Sequence, residues 1–328
     1  IIKVGNTLRF GEFEALHQEI PKAVWLLKYD GIRKEFYLSQ QSDFTLPPKI
    51  YGNPEVFVNR VLKTYTTVED SVGVLLEGLK GTGKTITAKM LAMKSDLPVV
   101  CINESFVDDD VVGTFKEFIN SINEEVVIFI DEFEKTYEYR QQQVFLDILD
   151  GANSSKKLYI FTSNSDSVNE FLTNRLKRIR YRKSYDNISD DVFEEVVEHL
   201  LNVKSHKEEL KQVLTALGIS TLDILISIIE EMNIHEVSPK EAIKDLNLIN
   251  EKILFDIYVK SDKEEWDWED TAKYSMSEIN SGAMVTLNYN KVELSKATIS
   301  KVVDGFIIKS EEGVEYYLKQ KLKSMLVI

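Results

Sequence analysis

The sequence predicts an α/β fold in which a parallel sheet is flanked by helices and is followed by an α-helical lid. Three unbroken apolar runs, 72–76, 126–130 and 158–161, are typical of strands buried on both faces, as parallel sheets require. From residue 189 to about residue 260 the apolar residues recur at helical spacing, which predicts the lid. Strand-and-turn patterns at both ends of the chain add small β-rich appendages.

A glycine-rich turn follows the first predicted strand. Residues 78–85 fit the pattern G-x-x-x-x-G-K-[ST] at every fixed position, between a strand and a helix. In such a loop the backbone N–H groups and the positive end of the helix face the phosphates, the lysine reaches the β- and γ-oxygens, and the hydroxyl binds Mg²⁺. The residues predicted to bind ATP here are Gly78, Gly81, Thr82, Gly83, Lys84 and Thr85, with Thr85 also a magnesium ligand.

The second predicted strand ends in two acidic residues. Asp131 directly follows the run 126–130 and is predicted to hold Mg²⁺, directly or through water. Glu132 is predicted to act as the base for the attacking water or to orient it. An acidic helix N-terminus is the alternative explanation, but the phosphate loop upstream favours a catalytic pair. ATP hydrolysis, and not binding alone, is the expected chemistry.

Two further polar features follow. Asn164, just after the third strand, is expected to contact the γ-phosphate or the lytic water, with a turn-forming asparagine as the alternative. The run 175–182 is rich in cations within an otherwise acidic protein. Arg175 and Arg178 are predicted to neutralise transition-state charge at a neighbouring subunit's nucleotide, although most such runs are solvated surface.

Taken in order, these motifs resemble those of the AAA+ ATPases, and more narrowly of the AAA branch proper. Residues 78–85 are similar to that family's G-x-x-G-x-G-K-T, 129–134 to F-I-D-E-I-D, and 146–151 to L-L-x-x-L-D-G. Residues 162–164 stand where the family has T-T-N or A-T-N, and 175–178 where it has R-P-G-R, with a Leu-Lys pair in place of the Pro-Gly.

The resemblance implies a P-loop NTPase sheet, hydrolysis of Mg-ATP and assembly into a homo-oligomeric ring, most often a hexamer. It gives Asn164 the sensor-1 role and makes Arg175 and Arg178 arginine fingers. The output of such a ring is the remodelling or disassembly of a protein partner.

The same resemblance assigns nucleotide-binding roles to two further segments whose motifs are less specific. Ile50, Tyr51 and Gly52 look like the segment that covers the adenine base and are assigned to nucleotide binding. Lys240, in the Ser-Pro-Lys start of a predicted helix, is either a sensor-2-like cation that binds the nucleotide or an ordinary surface lysine. That Ser-Pro start resembles the mitochondrial inner-membrane translocase subgroup.

One departure from the family concerns the central pore. Family translocases carry an aromatic-apolar-glycine triplet that grips an unfolded polypeptide. The matching place here is 111–113, which reads Val-Val-Gly and lacks the aromatic, while Phe106 has the wrong offset. The missing aromatic argues against threading by an aromatic paddle and favours, as an alternative, a remodeller that works through its outer domains.

The expected organisation has four parts. A β-hairpin segment covers 1–46, the large ATP-binding domain 47–185, the helical lid 186–262, and an acidic linker with a small β-rich domain 263–328. The segment 262–270 is the candidate linker, because it is acidic and carries tryptophans.

Composition narrows the class of protein. The chain has 328 residues and a net charge of −14, which opposes a role based on broad contact with nucleic-acid phosphates. No stretch approaches the roughly 20 apolar residues of a membrane span, and the first residues lack the apolar core of a signal peptide. A cytoplasmic location is therefore expected.

Two alternatives to protein remodelling stay open at the level of sequence. One is a DNA-replication or recombination motor or loader of the AAA+ superfamily, which DNA-stimulated hydrolysis would favour. The other is a scaffold that uses ATP only to assemble, which slow turnover in a stable ring would favour.

Overall fold

A computed structural model describes residues 2–4, 6–9, 19–150, 155–164, 168–218, 220–244, 246, 253–260, 265–274, 279, 284–302 and 305–320. The chain divides into two compact units, Ile1–Glu195 and Val196–Ile328. Within the described residues, none of the helices has the length and apolar character needed to cross a membrane.

The first unit is built on one nine-stranded sheet. Its strands are β1 (Ile2–Val4), β2 (Thr7–Arg9), β3 (Val24–Asp30), β4 (Glu35–Gln40), β5 (Val72–Gly78), β6 (Val99–Cys101), β7 (Val126–Ile130), β8 (Lys157–Ser163) and β9 (Tyr181–Tyr185). They lie in the order β1-β2-β4-β3-β6-β7-β8-β5-β9. From β3 to β9 the neighbours pair in parallel, whereas β1, β2 and β4 pair antiparallel. The predicted α/β fold with a parallel central sheet is confirmed.

Helices cover both faces of this sheet. They are α1 (Glu55–Thr67), α2 (Lys84–Lys94), α3 (Asp109–Ser121), α4 (Phe133–Thr136), α5 (Val144–Asp150) and α6 (Glu170–Thr173), and α7 (Asp190–Leu200) spans the boundary between the units. Successive residues of β7 point to opposite faces, so Ile128 packs in the core beneath α3 and α5, and Phe129 in the core beneath α1 and α2. Burial on both faces explains the unbroken apolar runs.

The predicted N-terminal hairpin is present as β3 and β4, but it is not a separate appendage. β3 pairs in parallel with β6, with Val24 opposite Val99, and so extends the main sheet. Trp25 and Leu27 are fully buried in the core of that sheet. Apolar burial along β3 is the physical reason why the hairpin joins the larger domain.

The segment matched to the pore triplet does not form a loop. Residues 111–113 lie inside α3, and Val111 packs against the core. Phe106 is also a core residue: it is 5% exposed, and its ring centroid lies 5.0 Å from that of Phe36 and 5.4 Å from that of Phe115. Both side chains therefore contribute to the core of the first unit.

We predict that Phe106→Ala lowers the free energy of unfolding by about 3–5 kcal/mol, because it leaves a cavity among aromatic rings. Denaturant unfolding followed by circular dichroism measures this loss. The matched control is Phe171→Ala, at a side chain that is 60% exposed, where a change below about 0.5 kcal/mol is expected. Equal stability of the two variants would show that Phe106 does not belong to the core.

The second unit contains helices and a smaller sheet. Beyond α7 its helices are α8 (Lys207–Leu217), α9 (Leu222–His235) and α10 (Pro239–Ala242). Its strands are β10 (Ile253–Lys260), β11 (Trp266–Tyr274), β12 (Met284–Leu287), β13 (Asn290–Glu293), β14 (Thr298–Val302), β15 (Gly305–Lys309) and β16 (Glu315–Gln320). A five-stranded sheet has the order β11-β10-β16-β15-β14, and β12 pairs with β13. The predicted helices after residue 189 and the strands after residue 282 are confirmed.

Two details of the second unit differ from the sequence-based expectation. The helical pattern expected up to about residue 260 ends earlier, because Ile253–Lys260 is a strand whose Phe255 and Ile257 are buried in the small β core. The expected linker 262–270 overlaps β11, which begins at Trp266 and pairs with β10. In β11 acidic side chains alternate with tryptophans, which is the pattern of a half-exposed strand. The sequence-based prediction of a linker was based on the negative charge of this segment.

Candidate active site

The glycine-rich turn connects β5 to α2, as its sequence predicts. Gly78 and Gly83 have φ angles of 122° and 94°, in the region that favours glycine. At Gly78 a Cβ atom would also lie 2.0 Å from the carbonyl oxygen of Tyr185 on β9. The backbone therefore forms a tight cradle at the carboxyl end of β5, where the loop amides and the start of α2 suit an anion.

Lys84 and Thr82 hold this loop in shape. The Lys84 Nζ atom donates a hydrogen bond to the Gly78 carbonyl oxygen at 2.9 Å and another to the carbonyl oxygen of Leu79. The Thr82 hydroxyl donates to the same Leu79 carbonyl at 2.7 Å. The Lys84 ammonium group thus lies at the loop itself, at the position from which it is predicted to reach phosphate oxygens.

Thr85 and Asp131 are brought together, as expected for two ligands of one metal ion. Asp131 Oδ1 accepts hydrogen bonds from the Thr85 hydroxyl at 2.9 Å and from the Thr162 hydroxyl at 2.6 Å. The sheet order β7-β8-β5 places the carboxyl ends of these strands side by side. Thr162 was not among the predicted site residues, although it belongs to the Thr-Ser-Asn sequence that identified Asn164.

Glu132 lies beside this group in a left-handed conformation with a φ angle of 50°, which is uncommon for a residue with a side chain. Its backbone N–H donates to the Thr162 hydroxyl at 2.9 Å. Its Oε1 atom accepts from Asn164 Nδ2 at 2.8 Å, and its Oε2 atom lies 2.6 Å from Lys135 Nζ. The predicted pair Glu132 and Asn164 is therefore in direct contact, and Lys135 is an additional neighbour that the sequence did not single out.

The charge state of Glu132 follows from these contacts. The hydrogen bond from Lys135 lowers the pKa of the Glu132 carboxyl below its usual value, and the hydrogen bond from Asn164 acts in the same direction against the effect of burial. The carboxylate form therefore dominates at neutral pH. An ionised Glu132 is the state needed to accept a hydrogen bond from an attacking water.

The donor set fits magnesium held together with a nucleotide. The hydroxyl of Thr85 and the carboxylate of Asp131 are hard oxygen ligands, which Mg²⁺ prefers. Across the described part of the chain, no group of three or more His, Cys, Asp or Glu side chains is arranged to hold a metal ion. Mg²⁺ typically keeps waters and shares phosphate oxygens instead of occupying an all-protein cage.

The segment assigned to the adenine base is anchored to the middle of α7, at Glu195. The Gly52 N–H donates to Glu195 Oε2 at 3.0 Å, and Lys49 Nζ lies 2.8 Å from Glu195 Oε1. Ile50 packs against the main core, and Gly52 has a φ angle of 73° with Val192 close by. The role of Ile50, Tyr51 and Gly52 in binding adenine stays a prediction.

The two arginines of the cationic run differ in how far they are buried. Arg178 is only 8% exposed, and its guanidinium pairs with both oxygens of Asp150, with Nε donating to Oδ1 at 2.7 Å. It also donates to the Phe171 carbonyl oxygen. This pairing lowers the pKa of the Asp150 carboxyl. The Arg175 side chain is 67% exposed, and its contact with Asp150 is long, at 3.4 Å.

Lys240 lies in the second unit, in the first turn of α10. Ser238 caps this short helix together with Glu241, and the Lys240 side chain is 70% exposed with Nζ 3.9 Å from Glu209 Oε1. These contacts are those of a surface lysine, and the nucleotide-sensing role of Lys240 stays a prediction.

The central segment of the chain, residues 74–185, is similar in sequence to known proteins. Residues 74–185 match the family model described as ATPase family associated with various cellular activities (AAA). Fidgetin-like protein 1 of Drosophila melanogaster is 25% identical over 159 residues, or 43% of this chain and 30% of that protein. ATP-dependent Clp protease ATP-binding subunit ClpX of Treponema denticola is 27% identical over 147 residues, or 37% of this chain and 35% of that protein.

The chain thus spans about a third of the length of these curated relatives. Neither relative distinguishes the AAA branch proper or the translocase-like subgroup, which stay predictions. The matched segment contains the phosphate loop, Asp131, Glu132, Asn164 and both arginines. Together with the strand order and the contacts around Asp131, the match identifies residues 74–185 as a domain of the AAA+ ATPase superfamily.

Proposed function

We propose that this protein is a magnesium-dependent ATPase that acts in the cytoplasm as a homo-oligomeric ring, a hexamer, and remodels or disassembles a protein partner. The observation that carries the ATPase function is the hydrogen-bonded group Thr85–Asp131–Thr162, which joins the phosphate loop to Glu132 and Asn164. A protein partner is supported by the relative that is named as a subunit of a protease.

In this proposal each residue has a distinct task. The loop amides and Lys84 would bind the β- and γ-phosphates, while Thr85 and Asp131 would hold Mg²⁺, which neutralises charge on the phosphate oxygens. Thr162 fixes both Asp131 and the backbone of Glu132, so a displacement of either acid is resisted by one shared hydroxyl.

Glu132 acts on the attacking water. Its carboxylate would accept a hydrogen bond from the water and take its proton at Oε1 or Oε2 as the water oxygen bonds to the γ-phosphorus and ADP leaves. Asn164 orients that carboxylate through the 2.8 Å contact with Oε1.

The arginines divide between two roles. Arg175 is exposed and is the candidate for reaching the nucleotide of an adjoining subunit, where it would neutralise charge on the γ-phosphate. Arg178, bound to Asp150 within its own chain, is a positioning residue that fixes the segment carrying Arg175. The site would therefore be complete only between two copies of the chain.

The magnesium assignment predicts a specific effect of the Thr85 hydroxyl. Thr85→Ala is expected to lower ATP hydrolysis at least about tenfold and to raise the Mg²⁺ concentration needed for half-maximal rate, because a metal ligand is lost. Thr85→Ser keeps the hydroxyl and is expected to stay within a few-fold of the unsubstituted protein. Phosphate release measured across a Mg²⁺ titration tests both variants.

An unchanged Mg²⁺ midpoint in Thr85→Ala would contradict the assignment. The same assay, run with and without DNA, separates the proposed function from a DNA motor or loader, since the net charge of −14 opposes stimulation by DNA.

A further inference from the structure

Two buried amide side chains connect the segment that follows Glu132 to the segment that carries the arginines. Gln142, in a single turn of 3₁₀ helix (Gln141–Gln143), is fully buried, and Asn169, just before α6, is 1% exposed. Gln142 Nε2 donates a hydrogen bond to the Tyr137 carbonyl oxygen at 3.1 Å, and its Oε1 atom accepts one from the Asn169 N–H at 2.7 Å. Tyr137 directly follows α4, which begins directly after Glu132. We call Gln142 and Asn169 the amide bridge.

The side chain of Asn169 continues this connection. Its Oδ1 atom accepts from the Phe171 N–H at 3.0 Å and so caps α6, while its Nδ2 atom donates to the Tyr139 carbonyl oxygen at 3.1 Å. The Phe171 carbonyl oxygen accepts a hydrogen bond from the Arg178 guanidinium. The Arg178 N–H donates to the Arg175 carbonyl oxygen at 2.9 Å. A series of hydrogen bonds therefore leads from the end of α4 to the turn that holds Arg175.

The amide bridge lies in an apolar part of the chain. Phe145 and Leu172, one helical turn further along the chain from the two amides, are buried in the core of the first unit. A polar side chain buried in such a place costs free energy unless its hydrogen bonds are made. α6 has only four residues, so its placement depends on contacts outside the helix. Because hydrogen bonds are limited to a narrow range of distance and angle, the bridge defines where α6 and its contact with Arg178 lie.

We propose that Gln142 and Asn169 are positioning residues that set the placement of Arg175 for its action on the nucleotide of the adjoining copy. The inference rests on the proposed function, because it takes Arg175 to act between copies. Glu132 is held separately, by Thr162 and Asn164. Loss of the amide bridge should therefore impair a chain as the supplier of Arg175 and leave its own nucleotide site working.

The test uses mixtures in which each kind of subunit serves one role. An Arg175→Ala chain keeps its phosphate loop and can only receive an arginine, whereas a Lys84→Ala chain can only supply one. Their mixture is expected to release phosphate. Gln142→Met has a similar shape but makes no amide hydrogen bonds. Added to the supplying chain, it should lower the rate at least about tenfold, because a small misplacement of a transition-state group is costly. Added to the receiving chain, it should leave the rate close to that of the parent mixture.

Gln143→Met in the supplying chain is the matched control, since Gln143 is exposed in the same turn, and it should leave the rate unchanged. Asn169→Ser is the independent variant, and it decides the matter if Gln142→Met does not fold. It keeps a hydroxyl that can cap α6 but is too short to reach Tyr139, so the same one-sided loss is expected. Thermal unfolding and sedimentation verify that each chain folds and that each mixture assembles.

The two possible failures are distinguishable. An active parent mixture in which the bridge variants have no effect in the supplying chain, or an equal effect in either chain, overturns this inference and leaves the proposed function standing. A parent mixture of Arg175→Ala and Lys84→Ala that assembles but releases no phosphate rejects the proposed role of Arg175, and this inference with it.

Discussion

Replacing Glu132 with glutamine is expected to slow ATP hydrolysis by roughly 10²-fold or more while leaving ATP binding intact. Glutamine has the shape of glutamate but carries no charge and takes no proton from water. The phosphate loop, Thr85 and Asp131 are untouched by the change, so the nucleotide and its metal keep their ligands. Single-turnover phosphate release and binding of a fluorescent ATP analogue measure the two quantities separately.

Lys84→Ala is the contrasting variant. It removes the cation at the phosphate loop and is expected to abolish ATP binding together with hydrolysis. An equal loss of ATP affinity in the two variants would show that Glu132 acts on the bound nucleotide and not on the water.

Arg175→Ala is expected to lower the hydrolysis rate by roughly 10³-fold without changing stability, because Arg175 is exposed and is assigned to the transition state of a neighbour. Arg178→Ala is expected to behave differently. It breaks the pair with Asp150 and should lower the free energy of unfolding by about 1–3 kcal/mol. Thermal unfolding and phosphate release, measured on both variants, distinguish the two effects.

Asp150→Asn is the control for Arg178, since it weakens the same pair from the other side. It should reproduce the loss of stability seen in Arg178→Ala. A stable but inactive Arg178→Ala protein beside a normal Asp150→Asn protein would mean that Arg178 contacts nucleotide directly.

The parts of this site that are predictable from sequence are local in the chain. The phosphate loop is one turn between a strand and a helix, and Asp131 follows its strand directly, so spacing and residue type are sufficient to locate them. The apolar runs identify β5, β7 and β8 because burial on both faces leaves no polar alternation.

What could not be predicted depends on contacts between distant residues. The Arg178–Asp150 pair joins residues that are 28 positions apart, and a pattern of single residues does not reveal such a partner. Thr162 is 31 positions from Asp131. β3 pairs with β6, and β11 pairs with β10. These pairings depend on contacts with the rest of the fold, and the sequence of one strand does not identify its partner.

We propose that ATP is hydrolysed where two copies of the chain meet, with Arg175 supplied by the neighbour. The most direct test is the rate of phosphate release from an equimolar mixture of Arg175→Ala and Lys84→Ala chains, each inactive alone. Arg175→Ala subunits keep a complete phosphate loop, and Lys84→Ala subunits keep the arginine. We expect hydrolysis to reappear in the mixture under conditions where sedimentation shows mixed assemblies. A mixture that assembles and stays inactive would contradict it.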